Sequence, residues 1–351
     1  MKNLLIITQK VDENDDLLGF FAGWIREFSK NFDNVFVITL AKGAYELPDN
    51  VFVYSLGKEA GSSKFIRFIK FYWYLLKLVP KSKGVFVHMS PIFAISSWPA
   101  AFLFRKRIFF WYLHRSVTLR LKIAEKLSYK ILTAAKESLN VKSIKIIELG
   151  HGIDVENFKT ERRLIGKPDF LKILSVGRIS KIKDYETLIK AAAILRDRGL
   201  AFKIKIIGRP VMPYDFEYFE GLKKLVADLG LKDFIEFVGF IPYSNISHYY
   251  KEADIFINLA PTGGIDKAVL EAMASASLVL VSNAAFKKYF GDFGDFLIFK
   301  HGDQNDLSQK IQELVDLPEE NLRDIVGFLQ ESISKNHSLK ETIYKISEII
   351  K

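Results

Sequence analysis

The chain has no cysteine among its 351 residues, which excludes disulfides, thiolate catalysis and cysteine-ligated metal. It also lacks an apolar run long enough to cross a bilayer, for which about 20 residues are needed. The greasiest stretches are Phe65 to Val79, interrupted by Arg67, Lys70 and Lys77, and Ile92 to Phe104, which holds Pro99. The N-terminal run Leu4 to Ile7 has no small-residue cleavage site after it; it reads as a first β-strand rather than a signal peptide. Acidic residues are scarce in one region, with 15 Lys and Arg against 2 Asp and Glu between 58 and 130. Residues 1–168 carry 27 basic against 15 acidic residues (+12), and the remainder 24 against 26 (−2), so the net charge of +10 belongs to the first half. That asymmetry implies an anionic partner for the first half, a membrane surface, nucleic acid or an acidic acceptor. No nucleic-acid-binding motif accompanies the charge, so nucleic acid is not an expected partner.

What is present fits a packed globular protein: 49% of residues are hydrophobic and 26% charged. The length suggests two domains of similar size, with a break at 165/166 in a turn-rich linker after Gly152-Ile153-Asp154. In the first half, strand-like Asn3 to Thr8, helical Leu18 to Lys30 and strand-like Val35 to Leu40 are followed by apolar runs at Gly84 to His88 and Ile108 to Leu113, then helical spacing from Ser116 to Leu132. In the second half the rhythm restarts with strands at Leu171 to Val176, Lys203 to Ile207, Phe234 to Val238, Asp254 to Leu259 and Ser277 to Val281. Helices lie between them, one from 184 to 198 capped by Asp184 and one over Lys267 to Ser275. Alternation of this kind predicts an α/β chain with two doubly wound, Rossmann-like parallel sheets, whose ligands bind at the carboxyl ends of the strands.

Two segments carry the chemistry. The first is Thr262-Gly263-Gly264-Ile265-Asp266-Lys267-Ala268, which leads from a strand into a helix whose apolar run Ala268 to Ala274 contains one charge, Glu271. Glycines let backbone N–H groups approach a ligand, and a helix N-terminus favours phosphate. Glu271 is placed to accept hydrogen bonds from sugar hydroxyls such as a ribose diol; a surface i,i+4 pair with Lys267 is the alternative. The second segment is Gly177-Arg178-Ile179-Ser180-Lys181-Ile182-Lys183, directly after a strand. A departing nucleoside diphosphate accumulates negative charge, which Arg178 meets with a planar fork and Lys183 with a point charge. No His, Asp and Glu grouping has metal-ligand spacing, and Asp12-Glu13-Asn14-Asp15-Asp16 resembles a calcium loop in composition only. No metal and no cofactor are expected.

Val176-Gly177-Arg178, Lys183, Phe237-Val238-Gly239-Phe240, Ala253-Asp254 and Glu271-Ala272-Met273-Ala274 together resemble the C-terminal half of retaining GT-B glycosyltransferases, the family 4 (glycosyl transferases group 1) type. The resemblance implies two Rossmann-like domains facing a central cleft and transfer of a sugar from a UDP- or GDP-sugar, with retention and without metal, to a glycan or lipid-linked acceptor in cell-envelope polysaccharide or glycolipid synthesis. By it, Arg178 and Lys183 hold the donor diphosphate and Glu271 the ribose, with Gly263, Gly264, Asp266, Lys267 and Ala268 around the donor. His114 meets the donor sugar, the Gly19 loop lines the acceptor side, and the C-terminal helix, 337–351, returns to the first domain. The sequence departs from the family at Gly263, where a second glutamate is usual, at Asp266 in place of a glycine, and at Ala276 and Leu278 in place of Gly and Pro. A sugar epimerase or inverting transferase of the same architecture, and a non-catalytic nucleotide- or polyanion-binding module, are the competing readings. Lys64 to Val79 reads as a helix with Lys64, Arg67, Lys70 and Lys77 in one arc, and Phe68, Ile69, Tyr72, Leu75, Leu76 and Val79 on the side that packs. The basic arc suits anionic headgroups. The expected location is cytoplasmic, peripheral at the inner face of the plasma membrane.

Overall fold

The computed structural model describes residues 1–135, 138–160, 170–261 and 264–351. These form two compact units: Met1–Asp154 with Pro242–Ser244 and Asn336–Lys351, and Val155–Ile241 with Asn245–Lys335. The break expected at 165/166 lies outside the described residues.

The first unit contains β1 (Asn3–Val11), α1 (Phe21–Ser29), β2 (Asn34–Lys42), β3 (Val51–Ser55), α2 (Lys64–Leu78), β4 (Gly84–His88), α3 (Pro91–Leu103), β5 (Arg107–Trp111), α4 (Leu119–Leu127), β6 (Lys130–Thr133) and β7 (Ile146–Glu148). Its seven strands run parallel in the order β3-β2-β1-β4-β5-β6-β7. Successive side chains of a strand point to opposite faces, so β1 feeds two cores. Leu4 and Ile6 meet Trp24 and Phe28 of α1 on one side. Leu5 and Ile7 meet Phe71 and Leu75 of α2 and Leu121 of α4 on the other.

The second unit contains α5 (Val155–Phe158), β8 (Leu171–Val176), α6 (Tyr185–Asp197), β9 (Phe202–Ile207), α7 (Pro213–Asp228), β10 (Ile235–Gly239), α8 (Tyr243–Glu252), β11 (Ile255–Asn258), α9 (Lys267–Ala274), β12 (Leu278–Val281), α10 (Lys287–Phe290), α11 (Gly294–Leu297), α12 (Gln304–Asp316) and most of α13 (Glu319–His337). Its five parallel strands are ordered β10-β9-β8-β11-β12. The last helix, α14 (Leu339–Ile350), belongs to the first unit, where Leu339, Ile343, Ile346 and Ile350 complete the core beside α1. Strand order reverses between β1 and β4 in one sheet and between β8 and β11 in the other. Those switch points are where open α/β sheets hold ligands.

Three expectations are corrected. The helix expected over Ser116 to Leu132 stops at Leu127, and Lys130–Thr133 is a strand between β5 and β7; pairing in the sheet overrides the helical spacing. His114, expected to end the strand-like run that starts at Ile108, lies in the loop beyond β5, which ends at Trp111. The side of α2 that packs is also different. Phe71, Leu75 and Leu78, spaced i, i+4 and i+7, are buried, while Phe68, Ile69 and Leu76 are exposed together with Phe65 and Trp73. Apolar residues surround this helix on most sides, so periodicity did not identify the stripe that docks.

Candidate functional site

At the carboxyl end of β8 the chain turns through Gly177 and a short 3-10 turn, Lys181–Lys183, and Asp184 then takes a left-handed conformation, φ 45°. This folds Lys183 back over the strand end. A Cβ on Gly177 would lie 3.0 Å from Lys183 Cε, and one on Gly208 would lie 2.0 Å from the Gly177 carbonyl oxygen. Glycine at 208, with φ 142°, is therefore a steric requirement of the turn. Tyr185, buried at the start of α6, donates its hydroxyl to the same carbonyl at 3.1 Å. The expected cap by Asp184 is corrected: its side chain accepts no backbone N–H and instead takes the Thr187 hydroxyl at 2.8 Å, with His301 Nδ1 3.5 Å away.

Across the switch point, β11 ends at Asn258, and α9 begins after Asp266. Asp266 is the N-cap: its Oδ1 accepts the Ala268 N–H at 3.2 Å, while Oδ2 accepts Lys183 Nζ at 2.5 Å and Asn258 Nδ2 at 2.9 Å. Burial alone would raise its pKa. Attraction to Lys183 and the hydrogen bonds from Lys183, Asn258 and Ala268 outweigh burial and hold the carboxyl below its ordinary value. Asp266 thus both caps the helix and engages a cation. All residues from Ala268 to Ala274 are buried. Among them Glu271 accepts the Tyr250 hydroxyl at 3.0 Å. Burial pulls the Lys267 ammonium down to about 7, and the Glu271 carboxylate pulls it partly back. Ala276, beyond the helix, has φ 57°, the conformation usually given to glycine.

Three buried polar atoms near these strand ends have no hydrogen-bond partner among the described residues: Ser180 Oγ after β8, Asn258 Oδ1 at the end of β11 and Ser282 Oγ after β12. Arg178 is exposed, and the backbone N–H of the next residue, Ile179, donates to the Arg209 carbonyl at 3.1 Å. Arg209 lies over the Phe240 ring at 4.8 Å. The turn after β8 and the start of α9 thus meet through Lys183 and Asp266; Ala268, Lys267 and Glu271 follow on α9, Gly264 is a half-buried bend before it, and Gly263 lies outside the described residues. Asn258, Tyr250 and Arg209 were missed from sequence, and Ser180 was quoted only as part of the Gly177 to Lys183 segment. Asn258 had a signal, a lone polar residue ending the apolar strand Ile255-Phe256-Ile257, but Tyr250 and Arg209 had none.

His114 and Gly19 belong to the first unit. His114 is exposed and accepts the Ser116 N–H at Nδ1, 3.1 Å, which puts the proton of the neutral ring on Nε2. A Cβ on Gly19 would lie 2.8 Å from the carbonyl oxygens of Glu13 and Asp15, so this glycine lets the acidic loop close. Within that loop, Asp12 and Asp15 hold Lys10 at 2.9 and 2.8 Å, and Glu13 pairs with Arg26. Among the described residues no group of three His, Cys, Asp or Glu side chains could hold a metal ion. No described helix is long and apolar enough to cross a membrane.

Residues 157–326 match the family described as Glycosyl transferases group 1. Among curated relatives, the amylovoran biosynthesis glycosyltransferase AmsK of Erwinia amylovora is 38% identical over 130 residues, 35% of this chain and 30% of that protein. The putative colanic acid biosynthesis glycosyltransferase WcaL of Escherichia coli is 30% identical over 129 residues, again 35% and 30%. The matched part of the chain thus spans 30% of the length of each of these relatives. The Anabaena protein HepE, solved in complex with UDP, superposes with a TM-score of 0.76 at 16% identity, covering 100% of this chain and 99% of that one. The fold is that of GT-B glycosyltransferases, two Rossmann-like α/β domains.

Proposed function

Starting from a glycosyl transferases group 1 domain over residues 157–326, we propose that the protein is a retaining glycosyltransferase of the family 4 type. It transfers a sugar from a UDP- or GDP-sugar to a glycan or lipid-linked acceptor in cell-envelope polysaccharide or glycolipid synthesis. The observation that carries the reading is the meeting of Lys183, Asn258 and Asp266 at the β8/β11 switch point, with α9 starting there. In this reading the donor diphosphate lies against Arg178, Lys183 and the first amides of α9. Lys183 exchanges Asp266 for a phosphate oxygen, and the cations stabilise the charge that develops as the sugar–phosphate bond breaks. Glu271, oriented by the Tyr250 hydroxyl, accepts the ribose hydroxyls. The leaving diphosphate helps take the acceptor proton, and no metal is invoked. Roles for His114 at the donor sugar and for the Gly19 loop near the acceptor rest on the family resemblance.

Two further observations bear on partners and site. HepE was solved in complex with UDP-glucose, which supports a nucleotide sugar as donor. The exposed apolar residues of α2, lying among Lys64, Arg67, Lys70 and Lys77, support peripheral contact with an anionic membrane at the cytoplasmic face. Incubation with a panel of UDP- and GDP-sugars and lipid-linked or glycan acceptors should release nucleoside diphosphate and form product with the donor's anomeric configuration. Inverted product, or free-sugar epimerisation without acceptor, would overturn retention. Binding without turnover on any donor would leave a nucleotide-binding module.

A further inference from the structure

We propose that a hollow on the open face of the second unit's sheet, at the amino ends of β8, β9 and β10, binds a monosaccharide phosphate. It lies at the opposite end of these strands from the turn that carries Lys183, and the claim holds whether or not the protein transfers sugar.

Lys172, Lys203 and Glu236 are each the second residue of their strands. Lys172 pairs with Lys203 across β8 and β9, Leu174 pairs with Lys205, and Lys205 pairs with Glu236 of β10. Residues paired in this way share one face of a sheet, so three lysines of two adjacent strands stand side by side. The alternate residues Ile173, Phe202, Ile204 and Ile235 are buried. The crossover helix α8 leads from β10 to β11, and its own packing leaves the lysines uncovered. Its buried residues are Ile246 and Tyr250, one turn apart, and the Tyr250 ring meets Phe158 at 5.4 Å and Phe256 of β11 at 5.6 Å. Beside it remains a hollow of about 290 Å³, which Tyr249 and Glu252 of α8 line together with the three lysines and Glu236.

Like charges directly opposite each other in a sheet are destabilising. Among the described residues none of the three lysines takes part in an ion pair, although two carboxylates line the same hollow. Lys205 lies over the Tyr249 ring at 5.2 Å. An anion between the ammoniums relieves their repulsion. A phosphomonoester, with about 1.5–2 negative charges, suits three point charges better than a single carboxylate does. The other walls fit a sugar: Glu236 and Glu252 can accept hydrogen bonds from hydroxyls, and Leu174 with Tyr249 offers apolar surface to ring carbons. Ligand sites cover roughly 300–1,000 Å³, so this hollow matches one monosaccharide unit and is too small for a nucleotide sugar or a glycan chain.

The test is calorimetric titration of the full chain with glucose 6-phosphate and mannose 6-phosphate, with glucose and inorganic phosphate as separate arms. A sugar phosphate should bind more tightly than either arm, and added salt should weaken it. Lys203→Gln should reduce its affinity about tenfold or more, the loss of one charge-assisted hydrogen bond. The melting temperature of the free variant should stay level or rise, because a like-charged neighbour of Lys172 is gone. Lys172→Gln should act in the same way. Lys224, on α7 and outside the hollow, is the control, and Lys224→Gln should bind as the unaltered protein does. Absence of binding for both sugar phosphates would overturn the proposal. So would equal affinity for inorganic phosphate, the mark of a simple anion cluster, or equal losses in Lys203→Gln and Lys224→Gln, the mark of diffuse charge. Repetition with excess UDP separates this hollow from the carboxyl ends of the strands: binding should persist, and displacement by UDP would assign the sugar phosphate there and sink the idea.

Discussion

Replacing Lys183 with Met probes the site most directly. In the free protein Lys183 Nζ lies 2.5 Å from Asp266 Oδ2, with side-chain exposures of 19% and 27%. Exposed pairs contribute about 0–1 kcal/mol, and breaking a buried one costs about 3–5 kcal/mol. A pair this accessible falls between, and because Asn258 and the Ala268 N–H still hold the carboxylate, the expected loss is about 1–2 kcal/mol at pH 7. For a unit of this size that is a fall in melting temperature of roughly 2–8 °C. Asp266 is held below its ordinary value of 3.8, its attraction to Lys183 and its hydrogen bonds overcoming burial. A depressed carboxyl contributes stability above its unfolded-state pKa and loses it as the pH falls through the folded value. The deficit of Lys183→Met should therefore be full at pH 6–7 and begin to shrink below about pH 4, where the unfolded chains take up the proton first and the folded wild-type carboxyl, held below its ordinary value, takes it up last. Calorimetry at pH 7 and pH 3.5 reads this, and titration with UDP at pH 7 should show affinity reduced roughly 10- to 150-fold, the loss of a charge-assisted hydrogen bond of about 1.5–3 kcal/mol. A deficit of the same size at both pH values, with UDP binding unchanged, would show that Lys183 acts by packing and would refute its assignment to the diphosphate.

Ala276→Gly should stabilise the second unit by about 1 kcal/mol, because Ala276 adopts φ 57° and only glycine does so without strain; a rise of a few degrees in melting temperature checks it. Gly208→Ala should abolish UDP binding or folding of the second unit, since its Cβ would sit 2.0 Å from the Gly177 carbonyl oxygen, and unchanged UDP affinity would contradict the steric account. Burial lowers Lys267 to about 7; a bound diphosphate nearby should raise it again. UDP binding near neutral pH should then take up protons, visible as a calorimetric enthalpy that depends on the buffer, and Lys267→Met should remove much of that dependence.

The Lys183–Asp266 contact explains how a carboxylate is tolerated where an anionic ligand is expected. Oδ1 is committed to the start of α9 and Oδ2 to Lys183 and Asn258. The same arrangement gives Lys183 a resting partner, so under the proposed function donor binding would exchange one oxygen for another. It keeps a cation positioned at the switch point without leaving its charge unpaired.

Much of this protein is determined locally. The apolar runs that became β1, β4, β8, β9, β11 and β12 and the glycine at 177 lie in contiguous residues, so side-chain periodicity and turn chemistry suffice to read them, whereas the cap read at Asp184 did not form. Other features depend on which surfaces meet. Only the assembled sheet decided that Lys130–Thr133 is a strand, and only packing decided that Phe71, Leu75 and Leu78 are the stripe of α2 that docks. The partners of the charged residues were equally hidden: Lys183 and Asp266 are 83 positions apart, and Tyr250 reaches Glu271 from a separate helix. Sequence sets what each segment can bury and cap, but a hydrogen bond between distant segments exists only once the sheet has brought their ends to one place.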